Sequence, residues 1–299
     1  MYVENGYQLF IDEREMMGVS PKTIQFYEES AGRMVRFIIE ERGNIPVAQM
    51  QEPVLRYLKY LRSRDIKPVT FHTYWRGIKT FCRYLHIEGY LTTPLKLPHV
   101  KKPHTAINPL TQNQLRSLMR WLETNTKSRS GTKVRNVAIF RLFIDTGIRS
   151  QELCNIDMQH LKIKDRMVQI VQGKGGKDRW CPFGKETQAA LWAYLKKREG
   201  MAGEWENALF IAQGGQRMST RGIHSIMRRV GDAAGIKANV NPHKLRHSFA
   251  LAYIENGGDP FSLQHILGHT TQAMTSRYVS FSPQNIREQH RKYSPGDQL

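Results

Sequence analysis

The 299-residue chain is 40% hydrophobic and 24% charged, a composition that builds ordinary cores and excludes a disordered protein. No apolar run approaches the roughly 18 residues of a membrane span. The start MYVENGYQLF is unlike a secretory leader, and Cys82, Cys154 and Cys181 stand too far apart for a ligand pair or a disulfide frame. Forty-five Lys and Arg against 26 Asp and Glu give a net charge of +19. Secreted and membrane classes therefore give way to a cytoplasmic protein that meets a polyanion, nucleic acid first among the candidates. The surplus is uneven: residues 1–100 hold 14 basic and 11 acidic side chains, and the remainder hold 31 and 15.

Residues 1–97 read as an all-helical domain. Ser20-Pro21 is an N-cap followed by proline at the first helical position. Ile24, Tyr27, Ala31, Met34, Val35 and Ile38 follow at helical spacing. A helix over 52–64 shows Val54, Leu55, Leu58 and Leu61. The next, over 69–86, buries Phe71, Tyr74, Trp75, Ile78, Phe81, Cys82 and Leu85, and its other side carries His72, Arg76, Lys79 and Arg83 in a row. Such a row is either a solvated face or a ridge that tracks phosphates. Residues 98–110 carry prolines without periodicity and read as an extended linker, with Lys101 and Lys102 placed to lie along a duplex.

Residues 111–299 are mostly helical with one β island. Thr111 caps a helix that runs to Leu122, and another helix spans 134–146. HLKIKD, MVQIVQ and DRWCPF read as three short strands, the last two joined by a glycine-rich hairpin turn at Gly173-Lys174-Gly175-Gly176-Lys177. Helices follow over 186–198, 220–234, 243–256, 260–267 and 272–279, with a tail helix over 283–292. The expected fold class is mainly α with a small antiparallel β-sheet: a helical N-terminal domain and a mixed α/β C-terminal domain.

Three stretches carry chemistry. In DTGIRSQEL, Gly147 suits the left-handed residue that ends a helix and Ser150 the N-cap of the next. Arg149 then sits at a helix–helix junction, where a guanidinium can grip a phosphate through two parallel hydrogen bonds, or pair on the surface with Glu152. In NPHKLRH, His243, Arg246 and His247 share one face of a first helical turn. The histidine pair has the spacing of HExxH, but Lys244 replaces the glutamate, and no metal site is expected. In LGH, Gly268 ends a helix and lets His269 project freely, nine residues before Tyr278. GKGGKD is not a phosphate-binding P-loop, which needs Gly-Lys-Ser/Thr with another glycine five residues before the Gly of that pair.

Taken in order, TGIRSQEL, GKGGKDR, HKLRH, LGH and Tyr278 resemble the catalytic signature of the tyrosine recombinase (phage integrase) family, simple two-domain type. The resemblance covers residues 111–278, and residues 1–97 look in pattern like that family's core-site-binding domain. It implies that Tyr278 attacks a phosphodiester of duplex DNA to leave a 3′-phosphotyrosine and a 5′-hydroxyl. It further implies that Arg149 and Arg246 clamp the non-bridging oxygens, that His243 takes the phenolic proton, that His269 bonds the phosphate and that Lys174 protonates the departing oxygen. His247 matches a frequent but less essential position, and Glu152 orients Arg149. The resemblance implies no cofactor, ATP or metal, because the transesterification keeps the bond energy in the phosphotyrosine. It also implies a homotetramer on two DNA sites, each duplex clamped between the domains with the linker spanning the groove. The residues after Tyr278 dock on a neighbour or cap their own domain.

The alternatives are a type IB topoisomerase-like DNA-relaxing enzyme, a non-catalytic DNA-binding protein and a histidine-metal nuclease. Within the family the expectation is a transposon or phage enzyme, or a chromosome-dimer resolvase of the Xer type.

Overall fold

Five α-helices converge on one aromatic core in the first unit, Met1–Ala106. The computed structural model describes every residue except 104–107, 126–129, 172–177, 204–205, 270, 277, 279–286, 288–289 and 299. Helix α1 (Val3–Met16) is followed by α2 (Pro21–Tyr27), where the Ser20 hydroxyl accepts from Thr23 N–H and Pro21 opens the helix, as the sequence predicts. Then come α3 (Arg33–Arg42), α4 (Gln51–Ser63) and α5 (Pro68–Ile87). Phe10, Met34, Ile38, Ile78, Phe81 and Leu85 are fully buried, each worth about 1.5–3 kcal/mol by transfer from water.

The 24–38 apolar pattern forms a single rod with an irregularity. Between α2 and α3, Glu28–Gly32 winds as a wider π turn, and Ser30, Ala31 and Gly32 are all buried there. These small residues receive α5 at very close range. A Cβ added to Gly77 would lie 1.8 Å from Ser30 Oγ, and one on Gly32 would lie 2.6 Å from the Tyr7 hydroxyl. Only hydrogen fits at Gly77, so the contact sets how α5 lies. Residues 92–103 lack helix and strand, yet Leu95, Leu97 and Val100 pack against this unit's core, and Trp75 Nε1 donates to Pro98 O at 3.1 Å. Part of the proline-rich stretch is thereby fastened rather than loose.

The second unit, Ile107–Leu299, is built around α7 (Ser130–Thr146), whose Ala138, Ile139, Phe140, Leu142 and Phe143 are fully buried. Helix α6 (Gln112–Thr124) starts with a reciprocal cap, Thr111 N–H to Gln114 Oε1 and Gln114 N–H to Thr111 Oγ1. After α8 (Ser150–Cys154), strands β1 (Leu161–Lys162), β2 (Met167–Ile170) and β3 (Arg179–Pro182) form an antiparallel sheet in the order β1-β2-β3. Val168 pairs with both Leu161 and Cys181, and Ile170 pairs with Arg179. Helices α9 (Lys185–Arg198), α10 (Thr220–Ala233), α11 (Pro242–Glu255), α12 (Pro260–Leu267) and α13 (Gln272–Thr275) complete the order. The fold is mainly α with one small antiparallel sheet. Among the described residues, no helix is long and apolar enough to cross a membrane.

The hairpin turn at 173–177, including Lys174, lies outside the described residues, as do much of the tail helix expected over 283–292 and parts of the last turn of 272–279. One expected cap is corrected. Ser150 is the first helical residue of α8, and Arg149 holds the N-cap position. The reason is local: the Glu152 carboxylate reaches back to Arg149 N–H at 2.9 Å and satisfies the donor at that end.

Candidate active site

Two left-handed glycines bring the site's segments together. Gly147 (φ +59°) ends α7, and a Cβ there would lie 2.5 Å from Phe249 Cδ1 and 2.8 Å from Leu267 Cδ2. The α7–α8 turn therefore presses directly on α11 and α12. Gly268 (φ +62°) ends α12. Arg246, buried on α11, bridges the two turns: it donates to Gly147 O at 2.7 Å and to Leu267 O at 2.8 Å. Arg149, half-buried, donates to Gly268 O at 3.3 Å and to Glu152 Oε1 at 2.7 Å. The two arginines picked from the sequence thus share the same pair of turns.

Glu152 is shared with a third guanidinium, to which the sequence pattern gives no role. Arg179, buried on β3, donates to both Glu152 oxygens at 3.1 and 2.7 Å, and to Ile266 O at 2.8 Å. It fastens β3, which pairs with β2, to the carboxylate that holds Arg149; Lys174 falls between these strands in the sequence. The signal in the sequence is the strand period: Arg179 and Cys181 point inward while Pro182 faces out, so the arginine stands at a core position. Burial alone would raise the Glu152 pKa, but hydrogen bonding and charge from Arg179, then Arg149, hold it below the usual value. Burial lowers Arg246 to about 10, aided by the charge of Arg149. Arg149 and Arg179 hold the carboxylate and Arg246 is anchored on the same two turns, a set of cations suited to an anion.

His269 does not project freely. It is buried, and its Nδ1 lies 2.8 Å from Thr275 Oγ1, because α13 folds back over the end of α12. Tyr278 is also buried, with its hydroxyl 2.5 Å from Nδ1 of His247. The imidazole against the phenol is thus His247, the less essential position by family resemblance. His243 lies one turn earlier on α11 and is exposed. Partial burial, then Arg246, His224 and Arg149, push its pKa below the usual histidine value. Tyr293, the other tyrosine near the end of the chain, is exposed. Among the described residues, no group of three His, Cys, Asp or Glu could hold a metal ion.

In the first unit, Arg76, Lys79 and Arg83 are all exposed on α5, and His72 is half-buried. Lys79 Nζ stands 4.9 Å from the Trp75 ring centre, and Arg76 reaches over Phe26 at 5.9 Å. Lys101 and Lys102 are exposed beyond the fastened stretch.

Comparison with known proteins places this geometry. Residues 108–285 match the model of the phage integrase family. The chain is 30% identical over 287 residues to tyrosine recombinase XerC of Lactobacillus delbrueckii subsp. bulgaricus, with 92% of this chain and 94% of that protein covered. Among solved structures, that of XerA recombinase is 25% identical, with a TM-score of 0.53 and coverage of 98% and 99%. The Tn1549 transposon integrase in complex with a circular intermediate DNA superposes with a TM-score of 0.79 at 17% identity, covering 98% of this chain and 99% of that one. This last likeness is one of fold.

Proposed function

The chain belongs to the phage integrase family and is a tyrosine site-specific recombinase, and on that premise we propose that Tyr278 is the nucleophile with which it cuts and rejoins duplex DNA. The observation that carries this reading is the Tyr278 hydroxyl, held against an imidazole that directly follows Arg246 on α11. The phenolic oxygen attacks phosphorus, the P–O5′ bond breaks, and a 3′-phosphotyrosine and a 5′-hydroxyl remain. Arg149 and Arg246 offset the charge that grows on the non-bridging oxygens. Two of the five N–H groups of Arg246 are committed to carbonyls, which fixes the plane in which the others meet the phosphate. The Thr275 contact at Nδ1 orients His269 so that Nε2 meets the phosphate. His243, its pKa lowered by partial burial and then by its cationic neighbours, lies on the face of α11 that carries Arg246 and adds a further hydrogen bond. Lys174 protonates the departing 5′-oxygen. The phosphotyrosine conserves the energy of the broken bond, so the reverse attack reseals the strand with no external energy source.

The exposed cations of α5 and Lys101–Lys102 track the phosphate backbone of the bound duplex. The protein works in the cytoplasm as a homotetramer on two recombination sites, in the integration, excision or resolution of DNA. Near full-length similarity to a XerC recombinase supports a simple two-domain enzyme. The test is Tyr278→Phe. This variant loses one hydroxyl and none of the cations, so it should retain and enrich a specific sequence from a randomised duplex pool. It should form no covalent adduct on a nicked duplex of that sequence, as read on a denaturing gel. A surviving adduct would move the nucleophile elsewhere, to Tyr293 first.

A further inference from the structure

An ordinary phenol, with a pKa near 10, is almost wholly protonated at neutral pH and is a poor nucleophile until its proton is taken. Resemblance to the family nominates His243 for that task. The structure places a different ring there. His247 Nδ1 is 2.5 Å from the Tyr278 hydroxyl, and the two ring centres are 5.8 Å apart with planes inclined by 46°. Both groups are held: Tyr278 is buried, and His247 is half-buried on α11, one residue after Arg246. Arg246 is itself anchored to two backbone carbonyls. The helix therefore presents a guanidinium and an imidazole at fixed relative positions, the first for the phosphate and the second for the attacking oxygen. His243 is exposed in the first turn of the same helix.

We propose that His247 is a catalytic residue that receives the phenolic proton of Tyr278. The inference rests on the reading of Tyr278 as nucleophile. The imidazole carries its own proton on Nε2 and offers the lone pair of Nδ1 to the hydroxyl. During attack the phenolic O–H bond breaks and Nδ1–H forms, while the phenolic oxygen bonds to phosphorus. The P–O5′ bond breaks, and O5′ takes a proton from Lys174. On rejoining, the 5′-hydroxyl attacks phosphorus and gives its proton back to Lys174, and the imidazolium returns its proton to the departing phenolate. The protein ends as it began.

Glutamine at position 247 can still accept a hydrogen bond from the phenol but cannot carry the proton away. The test uses the full-length chain and a nicked duplex of the sequence enriched by Tyr278→Phe. His247→Gln and His247→Asn should bind this duplex as the parent does, which shows that they are folded, and should form the covalent adduct about 10²–10⁴-fold more slowly. A ring-fluorinated tyrosine at position 278, a more acidic phenol, should restore most of that rate in the His247 variants. It should not restore Arg246→Ala, whose defect is on the non-bridging oxygens. Adduct formation at the parent rate in His247→Gln overturns the proposal. So does a loss that the fluorinated phenol leaves unrelieved, because His247 would then serve packing alone. An adduct in Tyr278→Phe overturns the nucleophile assignment, and this inference falls with it. No adduct in Tyr278→Phe, with a normal rate in His247→Gln, overturns only the role of His247.

Discussion

Replacing Glu152 with glutamine should destabilise the C-terminal unit and disarm Arg149 at the same time. The carboxylate accepts from Arg149 N–H at 2.9 Å, from the Arg149 guanidinium at 2.7 Å and from Arg179 at 2.7 and 3.1 Å. The Arg179 side chain is 5% exposed, so little water is at hand to replace the lost charge. Removing one partner of such a pair costs about 3–5 kcal/mol, chiefly by leaving the other charge uncompensated. Glutamine keeps one acceptor oxygen, which puts the expected loss near the lower end, about 3 kcal/mol. For a domain of this size that lowers Tm by roughly 6–12 °C. Tryptophan fluorescence reports it well, since only Trp75 of the five tryptophans belongs to the N-terminal unit. Because the folded pKa of Glu152 lies below its ordinary value, its stabilisation is present above the usual carboxylate range and is lost as pH falls through the folded value. The variant should lack that acid limb. Arg149, freed to shift by an ångström, should cut about 10²-fold more slowly. Adding Arg179→Leu to Glu152→Gln should cost much less than the two separate losses combined. A stability change under about 0.5 kcal/mol, with full cleavage, would show that the cluster behaves as an exposed ion pair and refute the reasoning.

Two further outcomes test the DNA grip and the leaving-group proton. Alanine at Arg76, Lys79 and Arg83 together should flatten the dependence of log K on log salt by roughly one unit for each phosphate no longer neutralised, whereas an unchanged slope in a binding titration would mean that the row faces only water. Lys174→Ala should cleave ordinary DNA about 10²–10⁴-fold more slowly yet cleave a substrate with sulfur at the bridging 5′ position almost as fast as the parent, because that leaving group needs no proton. Arg246→Ala should gain nothing from the sulfur, and equal rescue of both variants, or of neither, would remove Lys174 from the general-acid role.

Features that depend on one residue and its immediate neighbours were legible in the sequence. The Ser20-Pro21 start, the reach of Thr111, the left-handed ends at Gly147 and Gly268, and the three strands all follow from local backbone chemistry. Features decided by distant partners were not. Ser150 is the local exception, a good cap by type that loses the position because Glu152, three residues on from Arg149, satisfies that end first. His269 follows a helix-ending glycine and looks exposed until α13 covers it, with Thr275 as the partner. The spacing of His243 and His247 puts both on one face and leaves the choice of phenol partner to tertiary structure. Arg179 stands in a strongly basic hairpin, where one more cation reads as surface charge. The π turn is hidden because 24, 27, 31, 34, 35 and 38 also fit a regular helix. Only the run Ser30-Ala31-Gly32 hints that something passes close by.

That close passage makes the basic row of α5 a surface steered from behind. Gly77 is buried on the side of the helix opposite Arg76, Lys79 and Arg83, hard against Ser30. A methyl group there changes no cation, yet it would lie 1.8 Å from Ser30 Oγ and 2.6 Å from Ser30 Cβ, so the packing of α5 on this turn must give way and the lie of the row with it. On the reading that this row tracks phosphates, its pitch against the backbone is set by a residue with no side chain, and a search for binding determinants confined to charged surface positions would pass over it.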